Sequence, residues 1–178
     1  MNRSTKLFLP LLIISLLFLN GCAGTAYLNT FVKPPAGVYE RSDLKLLVTA
    51  SYAPERMAAA QETRDKFEQE LLVELRNKSR YKQVTLVEEK AIEEGDLLML
   101  VTIDYVHSVS GGARLMGGAL AGAASFKTKV ELFQDNSDKR VAEMICGTTS
   151  KASQGVFGAD TNHQIHLVAE KIAVEFAP

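Results

Sequence analysis

The stretch Leu97–His107 limits the possible folds more than any other part of the sequence. Its apolar residues occupy both sets of alternating positions: Leu97, Met99, Val101 and Ile103 on one face, and Leu98, Leu100 and Val106 on the other. Alternate side chains of a strand point to opposite faces, so a strand that is apolar on both faces is typical of a position covered on both sides. The sequence therefore predicts a β-sheet in which this strand is central.

Four other segments have alternating apolar residues and are predicted to be strands, at 44–50, 81–87, 126–132 and 141–149. Helices are predicted at 54–77 and 161–176, where apolar residues recur at helical spacing and Thr161 and Gln164 have the spacing of a capping box. This order favours an α+β fold, a two-layer sandwich in which two main helices pack on one mixed sheet of about five strands. The length fits a single domain, predicted at 43–178.

The start of the chain has the pattern of a cleaved lipoprotein signal. Arg3 and Lys6 form a basic region, Leu7–Leu19 form an apolar run of 13 residues, and a lipobox, Leu-Asn-Gly-Cys, ends at Cys22. As a helix, the apolar run would cover about 20 Å, which is less than the roughly 30 Å hydrocarbon core of a bilayer. Residues 1–21 are therefore predicted to be a signal peptide and Cys22 the lipidated residue. The alternative is an ordinary secretory signal with a chance cysteine.

This signal resembles those of bacterial lipoproteins, and the resemblance implies that Cys22 carries a diacylglycerol and an acylated amino group. One acyl chain holds a protein only marginally, whereas two or more signals anchor it stably. Residue 23 is Ala rather than Asp, which by the same resemblance implies the periplasmic face of the outer membrane. Residues 22–42 contain Pro34-Pro35 and no sustained periodicity, so we predict a lipidated cysteine and a flexible tether that reaches about 60 Å.

Composition and cysteine content exclude some classes of partner and bond. The chain has 20 basic and 21 acidic residues and a formal net charge of −1, which gives no electrostatic footprint for nucleic acid. Its two cysteines are Cys22 and Cys146, and lipidation of the first leaves the second without a disulfide partner. Cys146 follows the apolar residues Met144 and Ile145, so we predict a buried core residue rather than a reactive thiol.

A glycine-rich segment, residues 108–125, connects two predicted strands and is longer than the roughly 12–15 residues that are usual for a loop without a function. It lacks the lysine and hydroxyl of a phosphate-binding loop and the spacing of a dinucleotide loop. Small residues recur at four-residue spacing, which permits close backbone approach. We predict contact with another protomer, another envelope protein or the membrane surface; the alternative is a close approach within its own domain. The predicted partner-binding residues are Gly111, Gly112, Arg114, Leu115, Met116, Gly117, Gly118 and Gly122.

The lipobox, the single α/β unit and the pattern Gly-x-x-Arg-x-x-Gly-Gly at 111–118 together resemble a bacterial lipoprotein family catalogued as a domain of unknown function. The resemblance covers about residues 40–176. More distantly, the chain is similar to the anticodon-binding-like domain of the curli secretion channel lipoprotein and of the amino-terminal part of TolB. These resemblances imply a module that assembles or binds partners. We therefore expect a membrane-anchored periplasmic lipoprotein with a non-catalytic binding or assembly role.

Motifs for catalysis are absent from the mature sequence, which has no Gly-x-Ser-x-Gly, His-Glu-x-x-His or Cys-x-x-Cys pattern. We therefore predict no enzymatic activity and no cofactor. The alternative is an envelope enzyme or a transition-metal-binding lipoprotein that uses His163, His166 and Glu170, which share one face of the last predicted helix. The simpler interpretation of these residues, polar side chains on a solvated helix face, is preferred because the sequence identifies no further ligand.

Overall fold

The fold is a six-stranded mixed sheet that carries two helices. The computed structural model describes residues 25–33, 42–51, 57–90, 95–107, 125–134, 140–149 and 161–176. Its elements are β1 (Thr25–Val32), β2 (Asp43–Ala50), α1 (Met57–Lys78), β3 (Gln83–Leu86), β4 (Leu97–His107), β5 (Ser125–Gln134), β6 (Arg140–Thr149) and α2 (Thr161–Phe176). The predicted α+β sandwich with one mixed sheet and two helices is confirmed. The sheet has six strands rather than about five.

The strands lie in the order β1-β6-β5-β4-β2-β3. β2 pairs in parallel with both β3 and β4, whereas β4 with β5, β5 with β6 and β1 with β6 are antiparallel pairs. The predicted central position of β4 is confirmed, since it lies between β2 and β5. In the described part of the chain, no helix has the length and apolar composition that crossing a bilayer requires.

The additional strand, β1, lies within the segment predicted to be a flexible tether. It pairs with β6 from Thr25 opposite Thr149 to Val32 opposite Glu143. The tether prediction for 22–42 is therefore wrong for residues 25–32. Most side chains of β1 are exposed, so the segment has no regular apolar alternation from which a strand could be predicted. The strand is defined by its backbone pairing with β6. Only Ala23 and Gly24 separate Cys22 from β1.

Both helices pack on one face of the sheet and close a single core. The rings of Phe67 on α1 and Phe126 on β5 lie with centroids 5.0 Å apart, and both residues are fully buried. Helical spacing places Met57, Ala60, Phe67, Leu71 and Leu75 on one stripe of α1; the side chains of the first two lie outside the described part of the chain, and the other three are buried. The predicted stripe of α2 is buried throughout: Ile165, Val168, Ala169, Ile172 and Phe176. Full burial of each Phe, Leu, Ile or Val side chain among them contributes about 1.5–3 kcal/mol.

Two local predictions are wrong for identifiable reasons. A bulge at Asp104 shifts the register between β4 and β5, so that Val106 packs against the core instead of sharing the face of Leu98 and Leu100. Gln164 does not complete a capping box, because its side chain is fully buried beside the apolar stripe of α2 and makes no hydrogen bond in the described part of the chain.

Cys146 has the environment that the sequence predicted. The side chain is buried on β6, and its sulfur lies 4.0 Å from the backbone oxygen of Val168 on α2. Burial raises the pKa of the thiol to about 12, so the reactive thiolate is scarce at neutral pH. Cys146 is therefore a core residue and an inert thiol in the folded protein.

Candidate functional site

The two helices are joined along their length by polar contacts that cross between them. The contacts follow the same order on both helices: Lys66 with Asn162 at 2.7 Å, Glu70 with His166 at 2.5 Å and Lys78 with Glu170 at 2.6 Å. Residue numbers rise together on α1 and α2, so the helices run in the same direction. This parallel packing brings carboxylates of α1 next to the histidine face of α2.

Glu70, Glu74, Lys78, His166 and Glu170 form what we call the interhelical cluster. Single ligand atoms of Glu70, Glu74 and His166 all lie within 4.8 Å of one another. Lys78 Nζ lies 3.0 Å from Glu74 Oε2 and donates to Glu170 Oε1. The Glu74 residue is 9% exposed, whereas the side chains of Glu70 and His166 are 37% and 44% exposed. The cluster is therefore exposed to solvent at His166 and buried at Glu74.

Ion pairing sets the protonation of two members of this cluster. The hydrogen bond to Glu170, with a second contribution from Glu74, raises the pKa of the Lys78 ammonium. The hydrogen bond from Lys78 lowers the pKa of the Glu170 carboxyl. Both groups are therefore charged throughout the neutral range, and Lys78 bridges the two helices as a cation.

The structure places the predicted metal-binding candidates in three different settings. His166 contacts Glu70, Glu170 contacts Lys78, and His163 is half-buried one turn before His166. Among the described residues, the one group of three metal-ligating side chains close enough to share an ion is Glu70, Glu74 and His166. The sequence did not indicate Glu70 and Glu74 because their proximity to His166 depends on how the helices dock.

We expect the substitution Lys78→Met to lower the free energy of unfolding by about 1–2 kcal/mol at pH 7, because Glu74 is buried and loses its neighbouring cation. Because the pKa of Lys78 is raised, its contribution to the free energy of unfolding is lost as pH rises through that pKa. Because the pKa of Glu170 is lowered, its contribution is lost as pH falls through that pKa. Urea unfolding at several pH values measures the difference in free energy of unfolding between the wild type and Lys78→Met, which should be largest near neutrality. Lys82→Met is the matched control, since Lys82 is 70% exposed. Equal stability of the two variants at pH 7 would contradict the bridging role.

A second candidate site is the β1 edge, which we define as the outer side of β1 with the side chains of Tyr27, Phe31 and Val32. These side chains are 40%, 62% and 41% exposed, and among the described residues they are three of the six large hydrophobic residues at the surface. No described strand pairs with the outer side of β1, so its backbone donors and acceptors also face outward. An unprotected edge with apolar side chains is a template for pairing with another chain.

Tyr27 fixes β1 against the sheet through a glycine. A Cβ atom added at Gly147 would lie 2.5 Å from Tyr27 Oη and 2.9 Å from the backbone oxygen of Phe126. Tyr27 and Gly147 are paired in the β1–β6 register. The tyrosine ring therefore occupies the space that a side chain at residue 147 would need. Phe31 lies at the register shift in the pairing with β6, and its side chain is exposed.

The helix-free face of the sheet carries a self-neutralising charge network. Lys129 and Arg140 each contact both Glu131 and Glu143, at distances between 2.8 and 3.3 Å. Burial raises the pKa of Glu131, but the hydrogen bonds from Lys129 and Arg140 outweigh it and lower the pKa overall. Two cations and two carboxylates satisfy one another, so this network has the properties of a stabilised surface rather than of a binding site.

The predicted lipidation and partner-binding residues lie outside the described residues. These are Cys22 and, in the glycine-rich segment, Gly111, Gly112, Arg114, Leu115, Met116, Gly117, Gly118 and Gly122. The two strands that the segment connects are described, and His107 of β4 pairs with Ser125 of β5. β1 begins at the same end of the sheet, since Thr25 and Ser125 both pair with Thr149.

The fold and its sites define a two-layer α+β domain with a polar cluster between its helices and an edge strand, β1, whose outer side pairs with no described strand. A family model described as Domain of unknown function (DUF4410) matches residues 27–153, more than half of the chain. The chain belongs to this family, which confirms the expected resemblance to a family of unknown function. No curated protein sequence matches it.

Solved structures share the fold at low sequence identity. A PelC dodecamer from Paraburkholderia phytofirmans has a TM-score of 0.58 and 11% identity, over 87% of this chain and 99% of that chain. A single-residue variant of the PelC dodecamer from the same organism has a TM-score of 0.56 and 9% identity, over 85% of this chain and 97% of that chain. A DUF330 protein of Xanthomonas campestris has a TM-score of 0.49 and 12% identity, over 81% of this chain and 87% of that chain. The PelC structures support the architecture of the domain.

Proposed function

We propose that the protein is a membrane-anchored lipoprotein of the bacterial cell envelope, and that it acts as a non-catalytic assembly module at the periplasmic face of the outer membrane. The lipobox that ends at Cys22 supports the anchor and the location. The observation that carries the assembly role is the β1 edge, where exposed apolar side chains accompany an open strand edge. The predicted relationship to curli-channel and TolB domains agrees with such a role and stays a prediction.

The partner that best fits the β1 edge is a second copy of this chain. Strand pairing across an edge satisfies backbone groups that any polypeptide carries, so specificity must come from the side chains beside it. Phe31 and Val32 supply apolar contact there, and a lipid anchor confines copies of the chain to one surface, which raises their local concentration. PelC, whose domain has the same architecture, is a dodecamer, which supports the use of this fold for assembly.

The anchor would place this edge close to the bilayer. β1 begins three positions after Cys22, so a fully extended connection spans only about 11 Å. This is much shorter than the tether that the sequence predicted, and the domain would be held against the membrane rather than away from it. Neighbouring anchored copies would then present their β1 edges at the same height.

Photo-cross-linking in cells tests the β1 edge. We expect p-benzoylphenylalanine in place of Phe31 to give adducts with the mass of two or more protomers, since this side chain is 62% exposed at the bulge of β1. The matched control is the same probe in place of Val73, which is 50% exposed on α1. A differently tagged second copy identifies self-association. An adduct with another envelope protein would overturn self-pairing, and equal or absent adducts at both positions would overturn the β1 edge as an interface.

A further inference from the structure

The interface between α1 and α2 contains a ligand set that the assembly role does not use. Glu70 and Glu74 lie one turn apart on α1 and face His166 on α2. One oxygen of each carboxylate and one imidazole nitrogen lie within 4.8 Å of one another. We propose that Glu70, Glu74 and His166 bind a divalent transition-metal ion that links the two helices. This inference is independent of the proposed assembly role.

The distances are close to those of a metal centre. Zinc binds carboxylate oxygen and imidazole nitrogen at about 2.0–2.2 Å, so two ligands of a tetrahedral ion are about 3.4 Å apart. His166 Nδ1 and Glu70 Oε1 are now 2.5 Å apart and would separate by about 1 Å, while the widest pair, at 4.8 Å or less, would close by about 1.5 Å. Rotation of the partly exposed side chains of Glu70 and His166 provides such movements without moving either helix.

The buried carboxylate of Glu74 is the second feature that points to a cation. Its Oε2 atom is buried, and its cationic partner in the described part of the chain is Lys78 Nζ, 3.0 Å away, which is shared with Glu170. A buried carboxylate is costly unless it is paired and hydrogen-bonded. An ion between Glu74 and His166 would give this carboxylate a second cationic partner that Glu170 does not share.

The charge of the interhelical cluster also favours a cation. The carboxylates of Glu70, Glu74 and Glu170 accompany a single ammonium group, that of Lys78, and these four groups carry a formal charge of −2. Lys78 competes for Glu74, but its shorter contact, 2.6 Å, is to Glu170, so it keeps a partner when Glu74 turns to an ion. In the preceding turn, Lys66 donates to Asn162 and does not neutralise the cluster.

The ligand types select among metals. One imidazole with two carboxylates suits zinc and its neighbours in the first transition row, whereas magnesium and calcium favour oxygen ligands alone. Three protein ligands leave a coordination position open to water, on the solvent side where His166 is 44% exposed. The predicted set of His163, His166 and Glu170 is thus replaced by one that shares only His166 with it.

Binding is tested on the untagged full-length protein, extracted in detergent and stripped with a chelator. Zinc in 100-fold excess over its Kd should raise the melting temperature by about 5–10 °C, because the ion binds only the folded state, and magnesium should have little effect. Cobalt should give the visible absorption of a bound tetrahedral ion. Isothermal titration should show at least a tenfold loss of zinc affinity in His166→Ala and in Glu70→Gln, which alter partly exposed side chains.

His163→Ala is the matched control, because it changes the same helix without removing a proposed ligand or a member of the interhelical cluster. It should retain the zinc affinity of the wild-type protein. Circular dichroism checks that each variant is folded. Equal zinc affinity in the wild type and His166→Ala would overturn the site. An equal loss in His163→Ala and His166→Ala, with none in Glu70→Gln, would overturn it in favour of a site on α2 alone.

Discussion

Replacing Cys22 with serine is expected to move the protein from the membrane fraction to the soluble fraction of the envelope. Serine lacks the thiol that forms the thioether with lipid, and each buried CH₂ of an acyl chain contributes about 0.8 kcal/mol to membrane binding. Loss of all chains should therefore release nearly all of the protein. Cell fractionation measures the distribution, and mass spectrometry of the amino-terminal peptide measures the lipid.

The control for this substitution is Cys146→Ala, which changes the other cysteine of the chain. Cys146 is buried in the core, so this variant should remain at the membrane with its amino-terminal lipid. β1 begins after Cys22, and Cys22→Ser should leave the melting temperature of the domain unchanged. A Cys22→Ser protein that stays in the membrane fraction, or a wild-type protein without lipid, would contradict the proposed anchor.

The largest expected effect on stability is that of Phe67→Ala, which should lower the free energy of unfolding by about 3–5 kcal/mol. Phe67 is fully buried, and its ring lies against that of Phe126, so truncation leaves a cavity between α1 and the sheet. Domains of this size are stable by only about 5–15 kcal/mol, and the variant should be close to unfolding at 37 °C. Urea denaturation measures the change.

Val73→Ala is the matched control on the same helix. Val73 is 50% exposed, and its truncation should change the free energy of unfolding by less than about 0.5 kcal/mol. A Phe67→Ala protein that differs from the wild type no more than Val73→Ala does would mean that the ring contact does not hold α1 on the sheet.

Much of the fold could be predicted because its elements have strong local patterns. β4 was predicted with its observed bounds, since its apolar residues occupy both faces, and the buried stripe of α2 follows from helical spacing. β1 has no such pattern: its side chains are mostly exposed, and its partner β6 is more than 100 residues away in the chain. The bulge at Asp104 also has no local signal, so the side of Val106 was assigned incorrectly.

The candidate sites were harder to predict than the fold because they depend on tertiary docking. His166 was identified as a possible ligand, but its neighbours Glu70 and Glu74 come from α1, and only the parallel packing of the helices brings them together. Glu170 was grouped with His166 on one helix face, yet it pairs with Lys78 of α1. A single-helix pattern cannot show which residues of a second helix lie opposite it.

The most direct test of assembly through β1 is the mass of the detergent-extracted, full-length protein, measured by native mass spectrometry for the wild type and for Phe31→Asp. A charge at this exposed position opposes apolar contact across the β1 edge without disturbing the core. We expect a multimer for the wild type and for the control Val73→Asp, and a monomer for Phe31→Asp. A monomeric wild type, or a multimer that Phe31→Asp leaves intact, would contradict assembly through β1.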